Sequence, residues 1–76
     1  MNVTAADIAA LINDSGTSAH VGAGDYDRTL SDLGIDSLDV ATIFLAIQER
    51  YGVSVPDAEI DAINTVNLIV ARINGD

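Results

Sequence analysis

No cysteine and a single histidine leave this 76-residue chain without a disulfide or an obvious metal staple, so apolar burial has to hold it together. A chain of this length forms one domain and buries only about 60% of the surface that its unfolded form exposes. Its core must therefore be dense in aliphatic side chains. With 49% hydrophobic residues and only 4% aromatic ones, it is. The same Ile, Leu and Val content separates it from disordered acidic chains, which lack such residues.

Charge narrows the partners. Twelve acidic residues stand against three scattered arginines, Arg28, Arg50 and Arg72, for a net charge of −9. No basic stripe exists to release counterions from nucleic acid, and anionic membranes would repel the chain. Neither is expected as a partner, whereas proteins with basic patches are. Met1 to Leu11 carries Asp7 and no cation, unlike a secretory leader, and the longest apolar run, Val40 to Ile47, is far too short for a bilayer. A cytoplasmic monomer is the expectation.

Periodicity predicts helices. Thr4 and Asp7 have the spacing of a capping box, and Ile8, Leu11 and Ile12 follow at i, i+3, i+4, giving a helix over Thr4 to Ser15. Asn13, Asp14 and Gly16 are stop signals. Gly16 to Asp36 reads as a long loop pinned by Leu30, Leu33, Ile35 and Val21, with one helical turn over Arg28 to Leu33. Leu38, Val40, Ala41, Ile43, Phe44, Leu45, Ile47 and Tyr51 make a broad apolar helix that contacts neighbours on several sides and ends at Gly52. Val53 to Val55 is extended before Pro56, but no other segment could pair with it, so no sheet is expected. Asp57 is predicted to cap a short helix through Ile63, and Thr65 to cap a last helix carrying Val66, Ile69, Val70 and Ile73. The fold expected is all-α: three main helices, a short extra one and a long anchored loop, in a single domain over residues 1–76.

Ser37 sits between Asp36 and Asp39 at the mouth of the strongest helix. Either Asp36 or Ser37 can cap that helix, while Asp39 complements the positive end of its dipole. His20 has no evident partner and reads as an exposed loop residue, so a Ser–His catalytic site is a poor reading. Asp25 and Asp27 lack the glycine and terminal glutamate of a calcium loop, and no metal site is expected.

The segment Leu33-Gly34-Ile35-Asp36-Ser37-Leu38-Asp39 resembles the attachment motif of the acyl carrier protein family. Tyr51 is similar to the aromatic residue that closes helix II there. Val55-Pro56-Asp57 resembles the entry to helix III, and Thr65-Val66 the start of helix IV. The likeness covers Leu30 to Ile73 well and the first helix loosely. It implies a 4′-phosphopantetheine arm on Ser37, installed by a phosphopantetheinyl transferase, and a carrier rather than an enzyme. Acyltransferase- and ketosynthase-type enzymes are the partners implied, and Asp36, Leu38, Asp39, Leu45 and Glu49 the residues they would recognise. A modest acyl crevice is expected between helix II and the last helix, with Ile43, Phe44, Ile47, Val66 and Ile69 as candidates for its lining; most of these positions read equally as plain core, and Phe44 reads more readily as core filler than as groove wall. Helix II departs from the fatty-acid pattern: Thr42 and Gln48 are neutral and Arg50 is cationic, which favours a dedicated carrier of polyketide or secondary metabolism. A peptidyl or D-alanyl carrier is the alternative, against which Asp36 speaks. A more distant one is an unmodified acidic adaptor in which Ser37 is only a cap.

A charge of −9 on so small a body is self-repulsive, and salt screens it. The melting temperature should therefore rise with added salt through the screening range. A falling melting temperature would refute this account.

Overall fold

The computed structural model describes residues 2–15 and 20–75. Four helices follow in chain order: α1 (Ala5–Asp14), α2 (Ser37–Tyr51), α3 (Asp57–Ile60) and α4 (Val66–Asn74), with a 3-10 turn at Ala23–Asp25. No strand occurs among the described residues, in agreement with the all-α reading.

The start of α1 is the expected capping box. The Asp7 amide donates to Thr4 Oγ1 at 3.2 Å, and the Thr4 amide donates to Asp7 Oδ2 at 3.0 Å. At its other end Asn13 does more than stop a helix. Its Nδ2 donates to the Val21 carbonyl and its Oδ1 accepts the Val21 amide, at 3.1 and 2.8 Å, so one amide holds the returning loop. The companion stop signal, Gly16, lies outside the described residues.

Two caps bracket α2. Asp36 accepts from the Asp39 amide at 2.9 Å, and Gly52 takes the left-handed conformation (φ +71°) in which its amide reaches the Gln48 carbonyl. Thr65 caps α4 as expected, accepting from the Leu68 amide at 3.1 Å. The short α3 differs from expectation. Pro56, not Asp57, occupies the cap position without a side-chain hydrogen bond, Asp57 is already helical, and the helix ends at Ile60 rather than Ile63. Beyond Ile60 the bonding tightens to i→i+3 turns, Ala62 to Glu59 and Ile63 to Ile60, and the Asn64 carbonyl then accepts the Leu30 amide at 2.8 Å.

The same contact explains the long loop. Leu30, Ile35 and Val21 are buried and Leu33 is half-buried, as anticipated. Backbone pairing adds to this, through an isolated antiparallel bridge between Thr29 and Thr65 and through the Asn67 amide donating to the Tyr26 carbonyl. Within Arg28 to Leu33 one helical turn does form, the Leu33 amide donating to the Thr29 carbonyl at 3.1 Å, and tighter turns over residues 30–34 close it at Gly34, φ +84°. The core is a set of fully buried aliphatics: Ile8 and Ile12 from α1, Ile43 and Ile47 from α2, and Val66, Ile69 and Ile73 from α4. The first helix, α1, packs against both α4 and α2, and each Ile-to-Val change in this core should cost about 1 kcal/mol. No helix among the described residues is long and apolar enough to cross a membrane.

Hydrogen bonds from Thr4, the backbone amide first and the hydroxyl second, hold the Asp7 carboxyl below its ordinary range. A depressed carboxyl stabilises the fold above its unfolded pKa, and that contribution disappears as pH falls through the folded value. Asp7→Asn should therefore melt below wild type at neutral pH, with the gap closing in acid. A gap that stays constant from neutral to acidic pH would contradict this origin.

Candidate functional site

Ser37 is the first residue of α2 and is exposed. Its position follows from the residues on either side. Ile35 is buried at 4% exposure, and its amide donates to the Leu30 carbonyl at 2.9 Å. Asp36 then turns the chain into the helix, its carbonyl accepting from the Val40 amide and its carboxylate from Asp39. The serine therefore emerges from a segment anchored immediately before it. Asp36 is the cap, which leaves Ser37 Oγ free: it forms no hydrogen bond among the described residues.

A free Oγ without a neighbouring base is not a self-activated nucleophile, but it can accept a group from another enzyme. The surroundings suit a phosphodiester in two respects. The first-turn amides of Ser37 and Leu38 have no acceptor within the helix, and the dipole there favours an anion. A cleft of about 280 Å³ also opens beside the serine, with Leu30, Ile35, Val40 and Ile60 as its apolar walls and Asp61 and Asn64 at its polar edge. The carboxylates of Asp36 and Asp39 oppose the local benefit, since each sets a negative charge near the same oxygen. An exposed serine beside an open cleft thus has room for a long flexible arm.

The expected recognition residues fall on one helix. Leu38 is 78% exposed and Leu45 55%, both high for leucine; Asp36 and Glu49 are exposed and Asp39 half-buried. Leu38, Thr42, Leu45 and Glu49 recur at i, i+4, i+7, i+11 and form a single outward stripe. Arg50 is exposed and lies 6.0 Å over the Tyr51 ring. The other two arginines pair within the chain, Arg28 with Asp25 at 3.3 Å and Arg72 with Glu59 at 3.5 Å, the second tying α4 to α3.

The crevice candidates divide between core and cleft. Ile43, Ile47, Val66 and Ile69 are fully buried core, each at 1% exposure or less, and line neither described cleft. Helical spacing alone does not distinguish a cavity wall from a packed interior, since both are apolar. Phe44 is 7% exposed and serves both purposes, filling core and walling a second cleft of about 200 Å³ with Leu45, Val55 and Ile60. Openings therefore lie on the α3 side of α2. Sequence reasoning passed over Val40, Asp61 and Asn64 as cleft residues; the inward-facing pattern of Ile60 and Ile63 was the available signal. His20 is exposed, and no cluster of metal-ligating side chains occurs among the described residues.

Comparison with known proteins gives a consistent result. The family description "phosphopantetheine attachment site" matches residues 16–73. Among curated proteins, an acyl carrier protein of Helicobacter hepaticus is 39% identical over 49 residues, which is 64% of this chain and 64% of that protein's length. No solved structure gives a significant match.

The division of labour between Asp36 and Ser37 is directly measurable. Asp36→Ala removes the cap and should cost about 1 kcal/mol of stability, whereas Ser37→Ala should leave denaturant unfolding within about 0.5 kcal/mol of wild type. Equal losses in both variants would mean that the serine shares the capping.

Proposed function

The chain belongs to the phosphopantetheine-attachment family, and on that premise we propose that it is an acyl carrier protein, with its 4′-phosphopantetheine arm on Ser37. The observation that carries this reading is the exposed, unbonded serine at the mouth of α2, beside a cleft and within the family match. A phosphodiester forms at Ser37 Oγ in the active site of a phosphopantetheinyl transferase, and the nucleotide portion of coenzyme A leaves. When attached, the arm supplies the thiol that this cysteine-free chain lacks, so that an acyl group can be held as a thioester. The protein itself catalyses nothing; it presents cargo.

The partners are the transferase and then acyltransferase- and ketosynthase-type enzymes of polyketide or fatty acid biosynthesis. Asp36 and Asp39 meet basic residues of the transferase. The outward stripe of α2 reads as the docking face, with Leu38 and Leu45 as apolar contacts and Glu49 as its single acid. A stripe that is neutral at Thr42 fits an apolar partner surface better than a strongly basic one. That composition supports a carrier dedicated to one synthase over a general fatty-acid carrier.

Incubation with coenzyme A, magnesium and a broad-specificity transferase, followed by intact mass measurement, tests the proposal. Wild type should gain one phosphopantetheine and Ser37→Ala none, with both still helical by circular dichroism. Modification of the alanine variant would move the site elsewhere. A folded wild type that stays unmodified by transferases of two classes would overturn the carrier reading.

A further inference from the structure

We propose that Asn74-Gly75 is a succinimide-forming modification site that the fold holds in check. Of the five asparagines, Asn2, Asn13, Asn64, Asn67 and Asn74, only Asn74 precedes a glycine. In a mobile chain the glycine amide nitrogen attacks the asparagine Cγ. The bond from Cγ to Nδ2 breaks, ammonia leaves and a five-membered imide closes. Water then opens the ring at either carbonyl and yields an aspartyl or isoaspartyl residue. Glycine permits the approach because it has no Cβ in the way.

The structure ties up both reacting groups. Asn74 is the last helical residue of α4, and its side-chain amide is clipped to the backbone of Val3: Oδ1 accepts the Val3 amide at 2.8 Å and Nδ2 donates to the Val3 carbonyl at 2.9 Å. The attacking nitrogen, that of Gly75, donates to the Ala71 carbonyl at 3.0 Å. Val3 is itself part of the core, at 6% exposure, which holds the backbone end of the clip in place. Asn74 is nevertheless exposed to water. Reaction thus requires the last turn of α4 to fray and the Asn74 side chain to leave Val3, a local opening rather than global unfolding.

Conversion has a structural consequence. A carboxylate at position 74 has no donor for the Val3 carbonyl, and it adds negative charge at the end of a helix whose dipole is already negative there. The clip between the segment before α1 and α4 irreversibly loses one of its two hydrogen bonds. The site therefore works as a one-way record of how often that corner of the bundle has opened.

The test is to incubate the protein in mildly alkaline buffer with and without urea, and to map deamidated peptides by mass. Asn74 should convert at least about tenfold faster in urea than in native buffer, and ahead of the other four asparagines in urea. Equal rates in the two conditions, or no lead over the other asparagines, would overturn the proposal. A second measurement isolates the clip. Asn74→Ala, which removes both hydrogen bonds of the clip, should melt below wild type and exchange its Val3 amide faster; unchanged protection at Val3 would sink the coupling.

Discussion

Leu30 donates its amide to the Asn64 carbonyl, and much of the arrangement around Ser37 depends on that contact. It joins the long loop to the start of α4 and is reinforced by the Thr29–Thr65 bridge and by Asn67, whose Nδ2 reaches Asp27 Oδ1 at 2.6 Å. Buried backbone groups need partners, and a loop rich in Gly, Ser and Asp has few side chains with which to bury itself. Pairing with the α4 terminus answers both needs. It also fixes where the chain turns at residues 30–34, hence where Ile35 enters the core and where Asp36 begins α2.

The site inherits its character from this scaffold. Ser37 stands at the surface, yet the residue two before it is buried and the residue before it caps a fifteen-residue helix. Position is thereby well defined while Oγ stays free, the combination that a covalent attachment point requires. No general base contacts the hydroxyl among the described residues, so the serine is not self-activated. Acidic groups crowd the mouth of α2 and the α3 segment, whereas the outward stripe of α2 holds two exposed leucines and one glutamate.

Much of this was legible in the residues themselves. The capping pairs Thr4–Asp7 and Thr65–Leu68 involve neighbours in sequence, as does the Gly52 terminus, and local chemistry determines each one. Positions separated by long stretches of chain were harder. Asn13 reads as a helix stop, but only the folded loop shows its amide paired with Val21. Ile43, Ile47, Val66 and Ile69 read as either crevice lining or core, and only the folded chain shows them fully buried. The short helix was drawn three residues too long, and nothing local signals that Asn64 is claimed by Leu30.

By itself, then, the sequence determined the all-α class, the main helices and their caps, and the serine between two aspartates at the head of α2. Those features rest on periodicity and on hydrogen bonds that span three or four residues, both of which a linear reading contains. Only the tertiary structure decided which of Asp36 and Ser37 is the cap, on which side of α2 the clefts open, and that Asn74 holds Val3. Each of these depends on which distant groups compete for the same donor, acceptor or space, and that competition exists only once the chain has folded.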